Sequence, residues 1–373
     1  MANKVVCSIW MALISLFIAL LPVIWIQANR ILALDKDVYY HHSEKCKKQS
    51  MQTSILDMAE LNNEELLVIE HDFNGLFTKG SDETSQGRFL KVIDVAYGSP
   101  KFKPIEITGY PQDVAFRPFG LYLDGQVVYA LNQALHQGGP RIDVFNYTED
   151  SVIYTHSVLL DPLIGGTFGD LVVHKGFAYL NQYSSVPLEP SPTPFTLMSM
   201  IKVFYNDVVQ IHESGIYRCP LGVNTKVECL LMSTAKSASV TGITKDEDGF
   251  ILAAFSSIDY NWIEKYEVVK DGLKFSEKFP LRDKAERLTF SPSINKVYAA
   301  ALPWPLMGMT SNYVPSGAIE IRKVGSSSSY SYRRLFLQEN IIKGVTVASR
   351  IGNYIFTASY LDKAVMICPI IDP

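Results

Sequence analysis

Short apolar runs separated by polar turns extend along most of the chain. One pattern recurs six times: an apolar strand, a tight polar or glycine turn, and a second apolar strand. Runs of this length bounded by turn residues are typical of β-strands. The turns fall near Asn62, Asp124, Lys175, Asp248, Asn295 and Gly352. Six hairpins at intervals of roughly 50 residues predict an all-β fold, a six-bladed β-propeller in which each hairpin supplies the inner strands of one blade.

Further strand pairs lie between these hairpins. Residues 141–147 pair naturally with 151–160, and residues 262–269 with 273–281, as the outer strands of four-stranded blades would. The alternative is a large β-sandwich, but sandwiches lack a regular long period. The periodicity therefore favours the propeller.

One segment departs from the β pattern. Thr193 to Ser214 predicts a helix, with one apolar face formed by Leu197, Ile201, Phe204 and Val208. Two interpretations stay open: a helix that caps the propeller, or an interfacial helix that lies over a site or on a membrane.

The N-terminus carries a long uncharged stretch. Residues 5–28 contain no charged side chain, and about 20 apolar residues match the thickness of a bilayer. A cleaved signal peptide is the alternative, but its apolar region is usually only about 7–15 residues long. The expected organisation is a cytosolic tail (1–4), a transmembrane signal-anchor helix (5–28), a stalk (29–53) and the propeller (54–373). This organisation predicts a single-pass membrane protein.

The cysteines indicate the compartment of the large portion. Cys46, Cys219, Cys229 and Cys368 form an even set, and two disulfides suit a lumenal or extracellular location. Cys219 and Cys229 flank a predicted hairpin. A propeller must fasten its first blade to its last, which a Cys46–Cys368 bridge would do. Asn146 begins a glycosylation acceptor, which points to the same compartment.

Charge and motifs exclude several classes of function. The 373 residues include 34 basic and 38 acidic side chains, a net charge of -4, without a basic stripe for nucleic acid. No G-x-S-x-G elbow, H-E-x-x-H helix, C-x-x-C pair or P-loop occurs. Motif searches therefore favour no common hydrolase, zinc or nucleotide site.

Three segments carry a resemblance to a known family. They are KGVTVASRIGNYIFTASYLDKAVMIC near the C-terminus, the F-x-P-x-G segment at Phe116 to Gly120, and the strand pair GDLVVHKGFAYLN. With the apolar N-terminal segment, they make the chain resemble the serum paraoxonase/arylesterase family of six-bladed propellers. The family's tunnel holds a catalytic and a structural calcium ion.

The resemblance implies that the catalytic calcium site is degenerate. The positions of its ligands correspond to Leu56, Gly169, Thr241, Glu286 and Arg287. The two histidines proposed to activate water correspond to Phe119 and Gln133. Because Ca²⁺ takes six to eight oxygen ligands, we expect no hydrolytic ion and no catalytic residue here.

The structural calcium site is better preserved. The resemblance implies that Asp57, Asp170 and the carbonyl of Leu121 hold one structural calcium ion. The alternative is that the two aspartates only accept hydrogen bonds from backbone amides at the ends of the inner strands.

The layout is similar to that of nematode paraoxonase-like proteins that assist degenerin-type sodium channels. The implied function is that of a non-enzymatic chaperone or accessory subunit of a membrane partner, in the endoplasmic reticulum or at the plasma membrane. The alternative is a calcium-dependent lactonase or arylesterase with a modified site.

Overall fold

A computed structural model describes most of the chain beyond its N-terminal segment. The described ranges are 44–73, 86–95, 99–134, 139–161, 166–184, 213–222, 226–236, 239–257, 260–303, 315–324, 329–338 and 341–370.

Twenty-five strands make up these ranges. The first thirteen are β1 Lys47–Ser50, β2 Ser54–Asn62, β3 Glu65–His71, β4 Arg88–Ile93, β5 Lys101–Thr108, β6 Pro118–Asp124, β7 Val127–Asn132, β8 Arg141–Tyr147, β9 Ser151–Leu160, β10 Thr167–His174, β11 Phe177–Ser184, β12 Glu213–Pro220 and β13 Lys226–Val227. The others are β14 Leu230–Lys236, β15 Ser239–Lys245, β16 Ile251–Ser256, β17 Asn261–Val269, β18 Gly272–Leu281, β19 Lys284–Ser291, β20 Lys296–Leu302, β21 Ser316–Lys323, β22 Tyr330–Gln338, β23 Val347–Ile351, β24 Tyr354–Ala358 and β25 Ala364–Pro369.

The strands form six antiparallel four-stranded units, which we call blades one to six. Blades one and two are β2 to β5 and β6 to β9, and a short parallel pairing of β5 with β9 joins them in one sheet. Blade three is β10, β11, β12 and β14, and blades four and five are β15 to β18 and β19 to β22. Blade six combines β23, β24 and β25 with the N-terminal β1. The short β13 pairs with β9 in parallel.

The hydrophobic core lies between the blades, and its clusters follow one another around the ring. Six separate apolar clusters each join two neighbouring blades, and one of them joins blade six to blade one. Each sheet therefore buries both faces, which explains why the inner strands are apolar at nearly every position rather than at alternate ones. The arrangement is that of a six-bladed β-propeller, and all six predicted hairpins are confirmed, as are both predicted outer strand pairs.

The N-terminal strand and one of two disulfides close the ring. β1 adds to β25 as the outer strand of blade six, although it falls in the segment that was expected to be stalk. Cys46 is bonded to Cys368, and Cys219 to Cys229, as predicted. Cys219 and Cys229 do not flank a simple hairpin, because β13 leaves blade three between them to pair with β9.

A buried ionic network lies within blade five. Glu320 is fully buried on β21, where Lys296 and Arg333 donate to its carboxylate at 3.0 and 3.1 Å. Tyr298 donates to the same group at 3.2 Å. Burial raises the pKa of Glu320, but hydrogen bonds from Arg333 and Lys296 outweigh it and leave the pKa below its ordinary value.

Two predictions, the membrane span and the helix from Thr193, are not supported by the described residues. No helix within the described residues is long and apolar enough to cross a membrane, which corrects the predicted single-pass localisation. The expected anchor, residues 5–28, lies outside the described residues. The predicted helix from Thr193 also lies outside them as far as residue 212, and its last two residues belong instead to strand β12.

Candidate functional site

A β-bulge recurs at one level of the tunnel. In blades one to five, the pairing between the two innermost strands skips one residue, whereas β23 and β24 pair without a shift. At this level the skipped residues are Leu56, Phe119, Gly169, Thr241 and Arg287; Leu61 in blade one and Tyr183 in blade three are skipped elsewhere on the same strand pairs. A bulge re-aims the side chain of its extra residue and is over-represented beside active sites. Each of five blades therefore has an equivalent bulge position, at which the side chain departs from the regular strand direction. The resemblance had singled out all five of these residues.

Arg287 extends from its bulge in blade five across the centre of the ring. Its side chain is buried, and Nη1 donates to the carbonyl of Gly169 at 2.7 Å. The same nitrogen lies 3.5 Å from Oδ2 of Asp57. The guanidinium carbon lies 4.8 Å from the ring centroid of Phe119, within the range of a cation–π contact. One guanidinium thus contacts blades one, two and three.

The backbone around Arg287 is tightly constrained. Arg287 has a φ of 44°, in the left-handed region that disfavours an arginine. A Cβ on Gly242 of the neighbouring inner strand would come within 2.7 Å of the Arg287 Cα. Only a glycine permits this approach of β15 to β19, because a contact under 3.0 Å to backbone atoms forces the strands apart.

A small cavity, which we call the upper cavity, lies on one side of the Arg287 side chain. Its volume is about 30 Å³, and its lining residues are Phe73, Phe119, Gly169, Tyr183, Thr241, Glu286, Arg287 and Tyr360. One water requires about 10–15 Å³ by this measure, so the cavity has room for about two waters. The part of the chain that the structure describes therefore leaves no space here for an organic substrate.

Polar groups line one side of this upper cavity. Lys284 Nζ lies 2.5 Å from Glu286 Oε1, and the Tyr183 hydroxyl lies 3.4 Å from the same oxygen. Burial raises the pKa of Tyr360, which lies beside this group. Glu286 is thus paired with an ammonium group instead of pointing unpaired into the cavity. Lys284 was not among the predicted site residues, although its i, i+2 spacing from Glu286 places both side chains on one face of a strand.

The other predicted catalytic positions hold structural contacts. The Thr241 hydroxyl donates to the carbonyl of Ala285 at 2.5 Å, across the junction of blades four and five. Gln133 donates to the carbonyl of Phe168 at 2.7 Å, across the junction of blades two and three. Leu56 is buried in the apolar cluster between blades one and two. These side chains contribute to packing between blades.

Asp57 and Asp170 lie one position after the bulges of blades one and three, and each is 3% exposed. Asp57 accepts hydrogen bonds at 2.8 Å from the backbone N–H groups of Met58 and Leu121. Asp170 accepts one at 2.8 Å from Leu171. Asp57 therefore satisfies one amide of its own strand and one of the neighbouring inner strand β6, and Asp170 satisfies one of its own strand.

Burial makes both carboxyl groups hard to ionise. It raises the pKa of Asp57 to about 6, against the lowering effects of the Arg287 guanidinium and the amide donors. Burial, followed by the negative charge of Asp57, raises the pKa of Asp170 well above its ordinary value, while Arg287 lowers it. Arg287 is therefore the group that favours their charged forms.

Backbone amides and Arg287 engage the predicted calcium ligands. Oxygen atoms of Asp57 and Asp170 are engaged by N–H donors, and Leu121 contributes an N–H group to Asp57. No set of three or more His, Cys, Asp or Glu side chains within the described residues could hold a metal. The two aspartates thus satisfy backbone amides, as the alternative interpretation describes, and the structural calcium site stays a prediction.

A larger lower cavity opens on the other side of this level. Its volume is about 230 Å³, and its lining includes Asp57, Glu60, Asp170 and Lys245. Glu60 accepts a hydrogen bond from Ser291. The Arg287 side chain lines the upper cavity and not the lower one, so the tunnel is divided at its level.

The predicted glycosylation site lies far from the tunnel. Asn146 is exposed near the end of β8, and the turn that follows is held by the Thr148 hydroxyl, which donates to the Ser151 carbonyl at 2.9 Å. The position is accessible, and its modification stays a prediction.

No protein-family model matches the chain, and no curated protein matches it. Among solved structures, a gluconolactonase from Xanthomonas campestris is 10% identical, with 88% of this chain and 91% of that one covered and a TM-score of 0.48. A calcium structure of a Trichoderma reesei carbohydrate-active enzyme of family AA12 is 10% identical, with coverage of 90% and 99% and a TM-score of 0.47. A putative 6-phosphogluconolactonase from Bacteroides uniformis is 15% identical, with coverage of 84% and 80% and a TM-score of 0.44.

These similarities are too weak to assign a function. Because all three TM-scores are under 0.5, nothing about the substrate or the metal of this chain follows from those proteins. The resemblance to the paraoxonase family stays a prediction.

Proposed function

We propose that this chain is a non-catalytic propeller that binds another protein, as a chaperone or accessory subunit. The observation that carries the proposal is the position of Arg287. Its guanidinium lies at the centre of the tunnel, where the resemblance would put a hydrolytic calcium ion. A fixed positive charge repels a divalent cation, and the repulsion is strong where burial excludes water.

The surface of blades three and four supports protein binding. Leu230 and Leu231 on β14 are each 48% exposed, and Phe275 on β18 is 54% exposed. The two outer strands are neighbours, since Arg218, the pairing partner of Leu230, donates to the carbonyl of Lys270 in the turn before β18. We call Leu230, Leu231 and Phe275 the apolar edge. Contiguous exposed apolar patches mark protein-binding surfaces, and we propose that these residues contribute to one.

The partner that we propose to test is a degenerin-type channel subunit, which the resemblance suggests. The full chain is co-expressed with a tagged channel subunit, and the amount recovered with the channel is measured. We expect Leu230→Asp/Leu231→Asp to reduce recovery at least several-fold. The matched control is Val324→Asp, because Val324 is also 48% exposed but follows β21 in blade five. Equal recovery of wild type and both variants would count against binding through the apolar edge, and no recovery of wild type would count against this partner.

A second candidate is a lactonase or arylesterase, favoured by the polar side of the upper cavity. Glu286, Lys284 and Tyr183 bring a carboxylate, an ammonium and a phenol within 3.5 Å of one another. Such groups can transfer protons in hydrolysis. Their mutual pairing favours a structural role, and for that reason we place this candidate second.

The two candidates are separated by an assay of the full chain with lactones and aryl esters. We expect no turnover above the level of Glu286→Ala, in calcium or in chelator. Turnover that chelation or Glu286→Ala abolishes would reverse the order of the two candidates. Tyr332→Phe is a suitable control variant, because Tyr332 lies on the outer strand of blade five.

A further inference from the structure

The centre of the ring contains two buried acids that require a positive charge. Asp57 and Asp170 are each 3% exposed and lie on the inner strands of blades one and three. Backbone N–H groups satisfy hydrogen bonds of both carboxyl groups. Amide dipoles do not neutralise a full charge, and an unpaired buried carboxylate is strongly destabilising. A cation must therefore stand near them whenever they are ionised.

The guanidinium of Arg287 is placed to be that cation. It is buried, with Nη1 at 2.7 Å from the Gly169 carbonyl and 3.5 Å from Asp57. The ring of Phe119 covers one of its faces. A carbonyl, a carboxylate and an aromatic face from three blades surround one positive group, as the oxygens around a metal ion do.

The backbone at Arg287 adopts a conformation that disfavours an arginine, so the choice of this residue needs an explanation. Arg287 has a left-handed φ, a conformation that favours glycine or asparagine and strains other residues. The backbone conformation of the bulge by itself would therefore favour asparagine at position 287. The contacts of the guanidinium must offset that strain, because nothing in the local backbone calls for arginine.

We propose that the guanidinium of Arg287 is the resident cation of the tunnel, in place of a metal ion. The ring is then stable without calcium, and a neutral residue at position 287 opens a cation site between Asp57 and Asp170. The inference concerns what holds the blades together. It goes beyond the proposed function and holds whether or not the chain hydrolyses esters.

The experiment measures calcium dependence of stability in the full chain. Thermal unfolding of wild type, Arg287→Asn and Arg287→Lys is followed in chelator, in calcium and in magnesium. Wild type should show the same Tm in all three. Arg287→Asn, which suits the backbone, should have a Tm several degrees lower in chelator and recover in calcium. Arg287→Lys retains a cation and should show no calcium response.

A second measurement keeps the inference testable if Arg287→Asn does not fold. Calcium bound to purified wild type is measured after dialysis against calcium, where we expect none at stoichiometric level. Stoichiometric calcium in wild type, or a wild-type Tm that rises with calcium, would overturn the inference. A folded Arg287→Asn with the wild-type Tm in chelator would do the same. If calcium does restore Arg287→Asn, adding Asp57→Asn should abolish that recovery, and its persistence would place the ion elsewhere.

Discussion

The two disulfides provide a controlled test of how the ring is closed. Cys46–Cys368 joins residues 322 apart, whereas Cys219–Cys229 joins residues only 10 apart. The chain-entropy relation for a cross-link gives about 6 kcal/mol for the long loop and about 3 kcal/mol for the short one at 25 °C. We therefore expect Cys46→Ala/Cys368→Ala to lower the free energy of unfolding by about 3 kcal/mol more than Cys219→Ala/Cys229→Ala.

The structure adds a local reason in the same direction. β1 is the edge strand of blade six and pairs only with β25 within the described residues. Without the bridge, its four paired residues must hold the N-terminal end of the ring by themselves. Fraying of β1 would expose the apolar cluster between blades six and one.

The assay is reversible denaturation in urea under non-reducing conditions, with the free energy and the m-value fitted for wild type and both double variants. The short-loop variant serves as the control for lost cysteine packing, since Cys219 and Cys368 are both fully buried. Equal losses in the two variants, or a larger loss for the short loop, would refute the reasoning that the long bridge acts by closing the ring.

Three further predictions concern buried groups near or beyond the tunnel. Because the pKa of Asp57 is raised to about 6, its advantage over Asp57→Asn in unfolding free energy should be greatest below about pH 4 and fall by at most about 3 kcal/mol as the pH rises to 6; a flat difference would contradict this. The lowered pKa of Glu320 has the opposite sign, so Glu320→Gln should cost about 3 kcal/mol at pH 7, a difference that shrinks in acid titrations of Tm as the pH falls from the ordinary carboxyl value through the lowered pKa. Gly242→Ala should destabilise by about 1–3 kcal/mol in urea unfolding, because the new Cβ meets the backbone of Arg287; an unchanged free energy of unfolding would contradict this.

The fold was predictable because its signals are local and repeated. Each of the six hairpins carries its own turn residues and apolar strands, so the pattern indicates the architecture without knowledge of long-range contacts. The turns near Asn295 and Gly352 have positive φ values, which asparagine and glycine adopt readily, and these residue types therefore mark the turns. The order of the blades follows from the closure of the ring.

The site was predictable only as a set of positions. The resemblance singled out the five bulge residues, and the shared bulge explains why such distant residues correspond. Which of them point into the tunnel and which pack between blades was not visible in the sequence. Leu56 and Gln133 contribute to packing between blades, whereas Lys284, which was not predicted, pairs with Glu286 beside the upper cavity.

Residue types along the chain determined the six-fold repeat, the pairing of the cysteines once a ring was assumed, and the presence of an arginine where an oxygen ligand was expected. Only the tertiary structure decided what that arginine does. Its partners come from Asp57, Phe119 and Gly169, which are separated from it by more than a hundred residues and approach it only when the ring closes. The strand pattern depends on neighbouring residues, whereas the neutralisation of buried charge depends on groups that folding brings together from different blades.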